Sequence, residues 1–345
     1  MTGIKYLKRI TYLLVFVLLF TSCKESKHST MPRSIGNTSE VLIVLQDDQQ
    51  WDNEIGKTIR KVLAADQYGL PQKEPMFKLA HITQNDFSEL FQKHHSIIFV
   101  NIDKKSPKVK LEKTLNKWAK PQIIYKLTAP DNESFVKAFE NFSGEIIKNL
   151  NKVERERIMN FFNAAPDIKL MQKFADKFKL KMIIPQGYYL AKSEPGFMWL
   201  KLDANKHNLG IIAISVPYKD TAQFSNKSIA ARIMRFMKDY VPGPTEGSWM
   251  SLDTVYVPPV SKPVDDFFVP YTVETRGMWR VENDFMAGPY VAYTFINPVT
   301  NELTTLLGYV FKPNKDKRDL LRQQEAILYS TQAWDGKKIE RKVEK

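Results

Sequence analysis

In the run Glu274-Thr275-Arg276-Gly277-Met278-Trp279-Arg280-Val281-Glu282, charged and apolar side chains alternate. A period of two belongs to a β-strand whose faces meet different surroundings. It sends Thr275, Gly277, Trp279 and Val281 to one face and Glu274, Arg276, Met278, Arg280 and Glu282 to the other. The ordinary reading puts Trp279 in the core and leaves a solvated, self-neutralising Glu/Arg face paired across a sheet. The sharper reading makes Arg276 and Arg280 planar donor forks for an anionic or sugar ligand. Glu282 or Glu246 would then orient the ligand, with Trp249 as a stacking wall and Asp284 beside them.

Outward from this strand, Thr254–Val257, Tyr290–Ile296 and Thr304–Phe311 read as further strands of an antiparallel meander. Upstream, Met182–Ile184, Tyr188–Lys192, Phe197–Leu202 and Gly210–Val216 follow one another quickly. An amphipathic helix opens at Ser225 and carries Ile229, Ile233, Met234 and Met237, and a closing helix from Asp316 carries Leu320, Leu321, Ile327 and Leu328. This is an α+β arrangement, a mainly antiparallel sheet with helices packed on it. Its element order resembles the α/β/α sandwich of PsbP- and Mog1-like domains.

The first half has a different texture. Glu40-Val41-Leu42-Ile43-Val44-Leu45 is a strand-length apolar run closed by Gln46-Asp47-Asp48, which reads as a buried strand feeding a turn and a helix cap. Trp51, Ile55, Ile59, Val62 and Leu63 fall on one helical face. Asp86–Lys93 reads as a short helix, Ser96–Val100 and Pro121–Thr128 as strands, and Asp131 caps a helix bearing Phe135, Ala138, Phe139, Phe142, Ile146 and Leu150. Strands alternating with helices predict an α/β layer. Asn163-Ala164-Ala165-Pro166-Asp167 interrupts the helical pattern, so the division is a signal segment 1–22, a tether 23–38, an N-terminal α/β domain 39–165, a C-terminal α+β domain 166–334 and a basic tail 335–345.

The N-terminus carries the clearest functional signal. Lys5, Lys8 and Arg9 precede the eleven apolar residues Ile10–Phe20, too short for the ~20 a membrane-spanning helix needs and right for a secretory signal peptide. Phe20-Thr21-Ser22-Cys23 resembles a bacterial lipobox, with Phe where Leu is usual. The resemblance implies cleavage before Cys23, diacylglycerol on its thiol and an acyl chain on the new amine. Cys23 is the only cysteine among 345 residues. Lys24–Asn37 has too little apolar content to fold and reads as a tether. The expected location is a bacterial cell envelope, lipid-anchored in the outer membrane.

Charge supports the same setting. Removing Lys5, Lys8 and Arg9 with the signal lowers the net charge from +13 to +10, and the lysines are spread along the chain. Anionic head groups and cell-wall polymers are the expected counterparts, and nucleic acid is not.

Enzyme motifs fail on inspection. Gly56-Lys57-Thr58 lacks the glycine of a phosphate-binding loop, since Trp51 stands in its place. Ser134-Phe135-Val136-Lys137 has neither companion motif of the penicillin-recognising acyl enzymes. His28, His81, His94, His95 and His207 lack helical metal-ligand spacing. No cofactor, metal or catalytic residue is therefore assigned. The expected role is a non-catalytic binding or accessory module for an envelope protein or an anionic or glycan ligand. The alternatives are an envelope hydrolase using Glu246, Glu282 or Asp284 as acid and base, and a structural partner of an outer-membrane complex.

Trp118-Ala119-Lys120-Pro121-Gln122, Pro242-Gly243-Pro244-Thr245-Glu246-Gly247-Ser248 and Arg276-Gly277-Met278-Trp279-Arg280-Val281-Glu282-Asn283-Asp284-Phe285-Met286-Ala287-Gly288-Pro289, taken with the lipobox, resemble a Bacteroidetes lipoprotein family known as domain-of-unknown-function family 4837. The resemblance covers nearly the whole mature chain and implies localisation and fold extent, with no activity or site to carry over. Lys24-Glu25-Ser26 matches in part the signal associated with surface export in such bacteria.

Overall fold

The computed structural model describes residues 31–340. The signal segment, Cys23, the start of the tether and the last five residues of the basic tail lie outside the described residues. No described helix is long and apolar enough to cross a membrane.

The first half runs β1 (Glu40–Leu45), α1 (Gln49–Asp52), α2 (Glu54–Leu63), β2 (Lys78–Thr83), α3 (Glu89–Gln92), β3 (Ser96–Ile102), β4 (Lys110–Leu115), β5 (Ile123–Ala129) and α4 (Asn132–Asn163). Its five strands lie in the order β2-β1-β3-β5-β4. All neighbours are parallel except the β4–β5 pair. β1 is apolar along its length because parallel strands are covered on both faces. Asp47 Oδ1 accepts from the Gln50 amide at 3.1 Å as the chain leaves β1. Asn53 Oδ1 accepts from the Ile55 amide at 2.8 Å and caps α2. Ile55, Ile59 and Leu63 are then buried with Phe135 and Phe139 of α4.

The second half runs α5 (Ile168–Phe178), β6 (Leu180–Lys181), β7 (Tyr189–Glu194), β8 (Phe197–Ala204), β9 (His207–Pro217), a 3₁₀ turn (Thr221–Phe224), α6 (Asn226–Tyr240), β10 (Trp249–Leu252), β11 (Val260–Val264), β12 (Thr272–Glu282), β13 (Ala287–Ile296), β14 (Glu302–Phe311), α7 (Arg318–Tyr329) and β15 (Gln332–Ala333). Eight strands form an antiparallel sheet, β10-β12-β13-β14-β9-β8-β7, with β11 also paired to β12. Helix α6 buries Ile229, Ile233 and Met237 against Trp279, Tyr290 and Leu307 on one face. Helices α5 and α7 bury Phe174, Leu321 and Leu328 against Tyr293 and Leu306 on the other. The sheet is therefore sandwiched, as its element order predicts.

Helix α4 joins the halves. Asp131 Oδ1 accepts from the Ser134 amide at 2.7 Å to start it, Phe135 to Leu150 pack on the first sheet, and Phe162 near its end packs into the second core. From Arg33 onward the chain is one compact unit.

Several local expectations differ from the structure. Thr254–Val257 is a loop, because Pro258 and Pro259 follow directly and Asp253 folds the chain into a turn. Met182–Ile184 follows the short β6 without belonging to a strand. β2 and β4 escape sequence reading because both are edge strands in which polar and charged residues break up the apolar pattern. Residues 33–38, assigned to the tether by composition, are pinned down. The Ile35 amide donates to the Lys93 carbonyl at 2.9 Å, and the His95 amide donates to the Ile35 carbonyl at 3.0 Å.

Candidate functional site

Strand β12 alternates as its sequence requires. Its odd face is core, where Trp279 is buried and donates Nε1 to the Val310 carbonyl at 3.2 Å. Its even face divides in two, and the division separates the two arginines.

Glu274 and Arg276 lie under α7 and are buried, so this end of the face is not the solvated surface that the alternation suggests. Arg276 donates from Nε and Nη2 to the two oxygens of Glu274, each at 2.9 Å, and also pairs with Glu325. Tyr293 donates its hydroxyl to Glu274 at 2.9 Å, and Arg322 donates to Glu325 at 2.8 Å. Burial raises the Glu274 carboxyl, but the Arg276 guanidinium outweighs it and holds the group well below the usual carboxylate range. Arg276 is thus committed to an internal ion cluster and does not reach a ligand surface.

Arg280 and Glu282, further along the strand, are more exposed than the Glu274–Arg276 pair. Arg280 Nη2 donates to both Glu282 oxygens, at 2.8 and 3.1 Å, and the pair lies on an open groove of about 670 Å³. Met278 and Val257 form apolar lining, while Tyr256 and Phe285 stand as lips, 84% and fully exposed respectively. Pro71 contributes from the first half. Asp253 Oδ1 accepts from the amides of Val255 and Tyr256 at 2.8 and 2.9 Å, a local turn that shapes the Tyr256 lip.

The first half reaches the groove through a close backbone approach. Gly69, at φ +90°, lies so near Gly277 that a Cβ on Gly69 would stand 3.2 Å from the Gly277 amide nitrogen and carbonyl oxygen. Tyr68 donates its hydroxyl to the Pro258 carbonyl at 2.6 Å beside it.

The 242–250 loop and the 282–287 turn do meet. Thr245 Oγ1 donates to Asp284 at 2.7 Å, and Trp249 lies opposite Glu282 in the β10–β12 register. The Thr245 hydrogen bond and the amide of Met286 hold the Asp284 carboxyl below its ordinary range, so it is an acceptor that shapes the turn. Glu246 is exposed and outside the groove lining, and Trp249 carries Lys238 Nζ 5.1 Å above its ring. Of the six sequence candidates, Arg280, Glu282 and Asp284 line the groove; Glu246, Trp249 and Arg276 do not. Sequence reading misses Tyr256, Phe285 and Pro71, although an aromatic beside two prolines and a Phe in a polar hairpin turn were visible signals. Among the described residues, no group of three His, Cys, Asp or Glu side chains is placed to hold a metal ion.

Residues 167–330 match the family model described as Domain of unknown function (DUF4837). The similarity to this family is confined to that segment. Apart from Pro71, all the groove residues named above lie within the matched segment. Residues 34–163, which supply Pro71, match a separate model described as Domain of unknown function (DUF8532). The DUF4837 likeness therefore covers the second half of the chain and not the nearly whole mature chain that the sequence resemblance implies. No curated protein matches the chain. A solved structure of Clostridium butyricum Argonaute bound to a guide DNA (5′ deoxycytidine) and a 19-mer target DNA is 11% identical with a TM-score of 0.14, covering 84% of this chain and 44% of its own. A likeness at that score carries no argument.

Proposed function

We propose that this chain is a lipid-anchored protein of a bacterial cell envelope whose DUF4837 domain binds an anionic glycan segment. The anchoring rests on the lipobox-like Phe20-Thr21-Ser22-Cys23 behind a short apolar run. The binding role rests on one observation: an Arg280–Glu282 pair set between the exposed rings of Tyr256 and Phe285 along an open groove. Exposed aromatic faces stack on sugar rings, a guanidinium fork takes a carboxylate or phosphate, and a carboxylate orients hydroxyls. Arg280 donates to Glu282 and Thr245 to Asp284, so these two carboxylates are already engaged as hydrogen-bond acceptors along the groove.

The test is fractionation together with binding. Cys23→Ala should move the protein out of the membrane fraction. In the parent chain, sheared envelope glycans should be retained, and the Arg280→Ala/Phe285→Ala double variant should lose retention at least tenfold, the ~1.4 kcal/mol that a lost charged contact exceeds. Equal retention by parent and variant overturns the groove reading. Undiminished membrane partitioning by Cys23→Ala overturns the anchor.

A further inference from the structure

We infer that the end of the first sheet where the folded chain begins is a membrane-docking surface that lies against anionic lipid head groups. The inference rests on the lipid-anchor reading.

Three segments converge at this end. Arg33 bridges to Lys120 and Ile35 to His94, so the first residues of the folded unit run between the turn after α3 and the β4–β5 hairpin. The Ser34 amide donates to the Lys120 carbonyl at 3.3 Å and the Ile35 amide to that of Lys93 at 2.9 Å. The buried side chain of Gln122 ties the hairpin to the α3 turn, donating Nε2 to the His94 carbonyl at 2.8 Å while its Oε1 accepts from the Trp118 amide at 2.9 Å. The residues on these segments are therefore presented as one rigid surface.

Its chemistry is that of an interfacial contact. Leu90 is 66% exposed on α3, and Ile35 is 44% exposed in the segment bridged to the turn that follows α3. Trp118 is half-buried with Lys117 Nζ 4.3 Å above its ring. Arg33, Lys93, Lys117 and Lys120 are all exposed, four cations against Asp86 and Glu89, the exposed acids flanking the start of α3. Apolar tips, an aromatic at the polar boundary and long basic side chains suit the head-group region, where lysine stems lie along apolar surface and their ammonium groups meet phosphates. Chain length adds a constraint: ten residues carry the backbone from Cys23 to Arg33, a reach of at most about 35 Å when fully extended. A lipid on Cys23 therefore holds this end, more than any part of the molecule further along the chain, within reach of the bilayer.

The test uses the intact lipidated chain, whose single native cysteine, Cys23, has its sulfur blocked by the diacylglycerol, in vesicles of phosphatidylcholine and phosphatidylglycerol. A bimane label on Leu90→Cys should be quenched by head-group nitroxide lipids at least twofold more than one on Val299→Cys, an exposed site on the β13–β14 turn. Adding Lys93→Glu, Lys117→Glu and Lys120→Glu should abolish that difference while the protein still floats with the vesicles, since each lysine at an anionic surface strengthens the contact by about fivefold. Equal quenching at the two positions, or quenching at Leu90 that survives the charge reversal, overturns the docking surface and leaves the anchor intact. A parent chain that does not float with the vesicles overturns the anchor and the docking surface with it.

Discussion

Arg276 grips both carboxylate oxygens of Glu274 at 2.9 Å beneath helix α7, whereas Arg280, two periods further along the same strand face, faces an open groove. The two arginines look equivalent in sequence and have unrelated roles, one internal and one external. Removing Arg276 leaves Glu274 and Glu325 buried without their shared counter-charge. We expect Arg276→Ala to destabilise the fold by about 3–5 kcal/mol, read as a lower urea midpoint. Loss under ~1 kcal/mol would show that the cluster relaxes around the missing cation.

Arg280→Ala and Phe285→Ala act where the groove is open. Each should change stability by no more than about 0.5 kcal/mol, as surface substitutions do, while weakening glycan retention. Unfolding curves that overlay the parent, alongside lost retention, would separate binding from folding.

Acid should destabilise the protein in two stages. His94 and His95 stack at 4.8 Å in a buried site where Arg157 lies near, and burial foremost pulls both imidazoles below 6.5, His95 to about 3. The folded form keeps them neutral and the unfolded chain takes up protons below pH 6.5, so their contribution is complete above that pH and is lost as pH falls. His95 alone should remove about 2 kcal/mol between pH 6.5 and 5. The depressed Glu274 carboxyl acts in the same direction, its contribution present above about 4.5 and lost below. Urea midpoints at pH 7.5, 6 and 5 test the first stage, and His95→Gln should flatten it.

Asp131 starts the longest helix by accepting from the Ser134 amide at 2.7 Å, and that hydrogen bond holds its carboxyl below the usual range. Asp131→Ala should destabilise by about 1 kcal/mol and Asp131→Asn by less. Thermal unfolding followed at 222 nm distinguishes the two.

Local pattern carried much of this architecture. Glu40–Leu45, the helical stripe of Ile55, Ile59 and Leu63, and the alternation that buries Trp279 were legible because each follows from a period and a neighbouring cap. The strands Lys78–Thr83 and Lys110–Leu115 were not, since edge positions tolerate polar and charged residues that hide the strand period. The site was half legible. Arg280, Glu282 and Asp284 were found on their own strand and turn, but the alternation of β12 cannot show that Arg276 is buried against Glu325 of α7 while Arg280 lines a groove. Pro71 lies more than two hundred residues from Arg280 in sequence, and tertiary contacts such as the approach of Gly69 to Gly277 and the Tyr68–Pro258 hydrogen bond bring it to the groove.

Helix α4 spans 32 residues, about 48 Å of rod. Its first turns are sealed into one hydrophobic core, Phe162 lies in the other, and Arg155 is paired with Asp266 across the junction. A shaft embedded at both ends cannot melt at one without loosening the other. Heat should therefore unfold the DUF4837 and DUF8532 segments as one calorimetric transition, and neither half, cut at Ala164–Pro166, should keep the cooperativity of the whole.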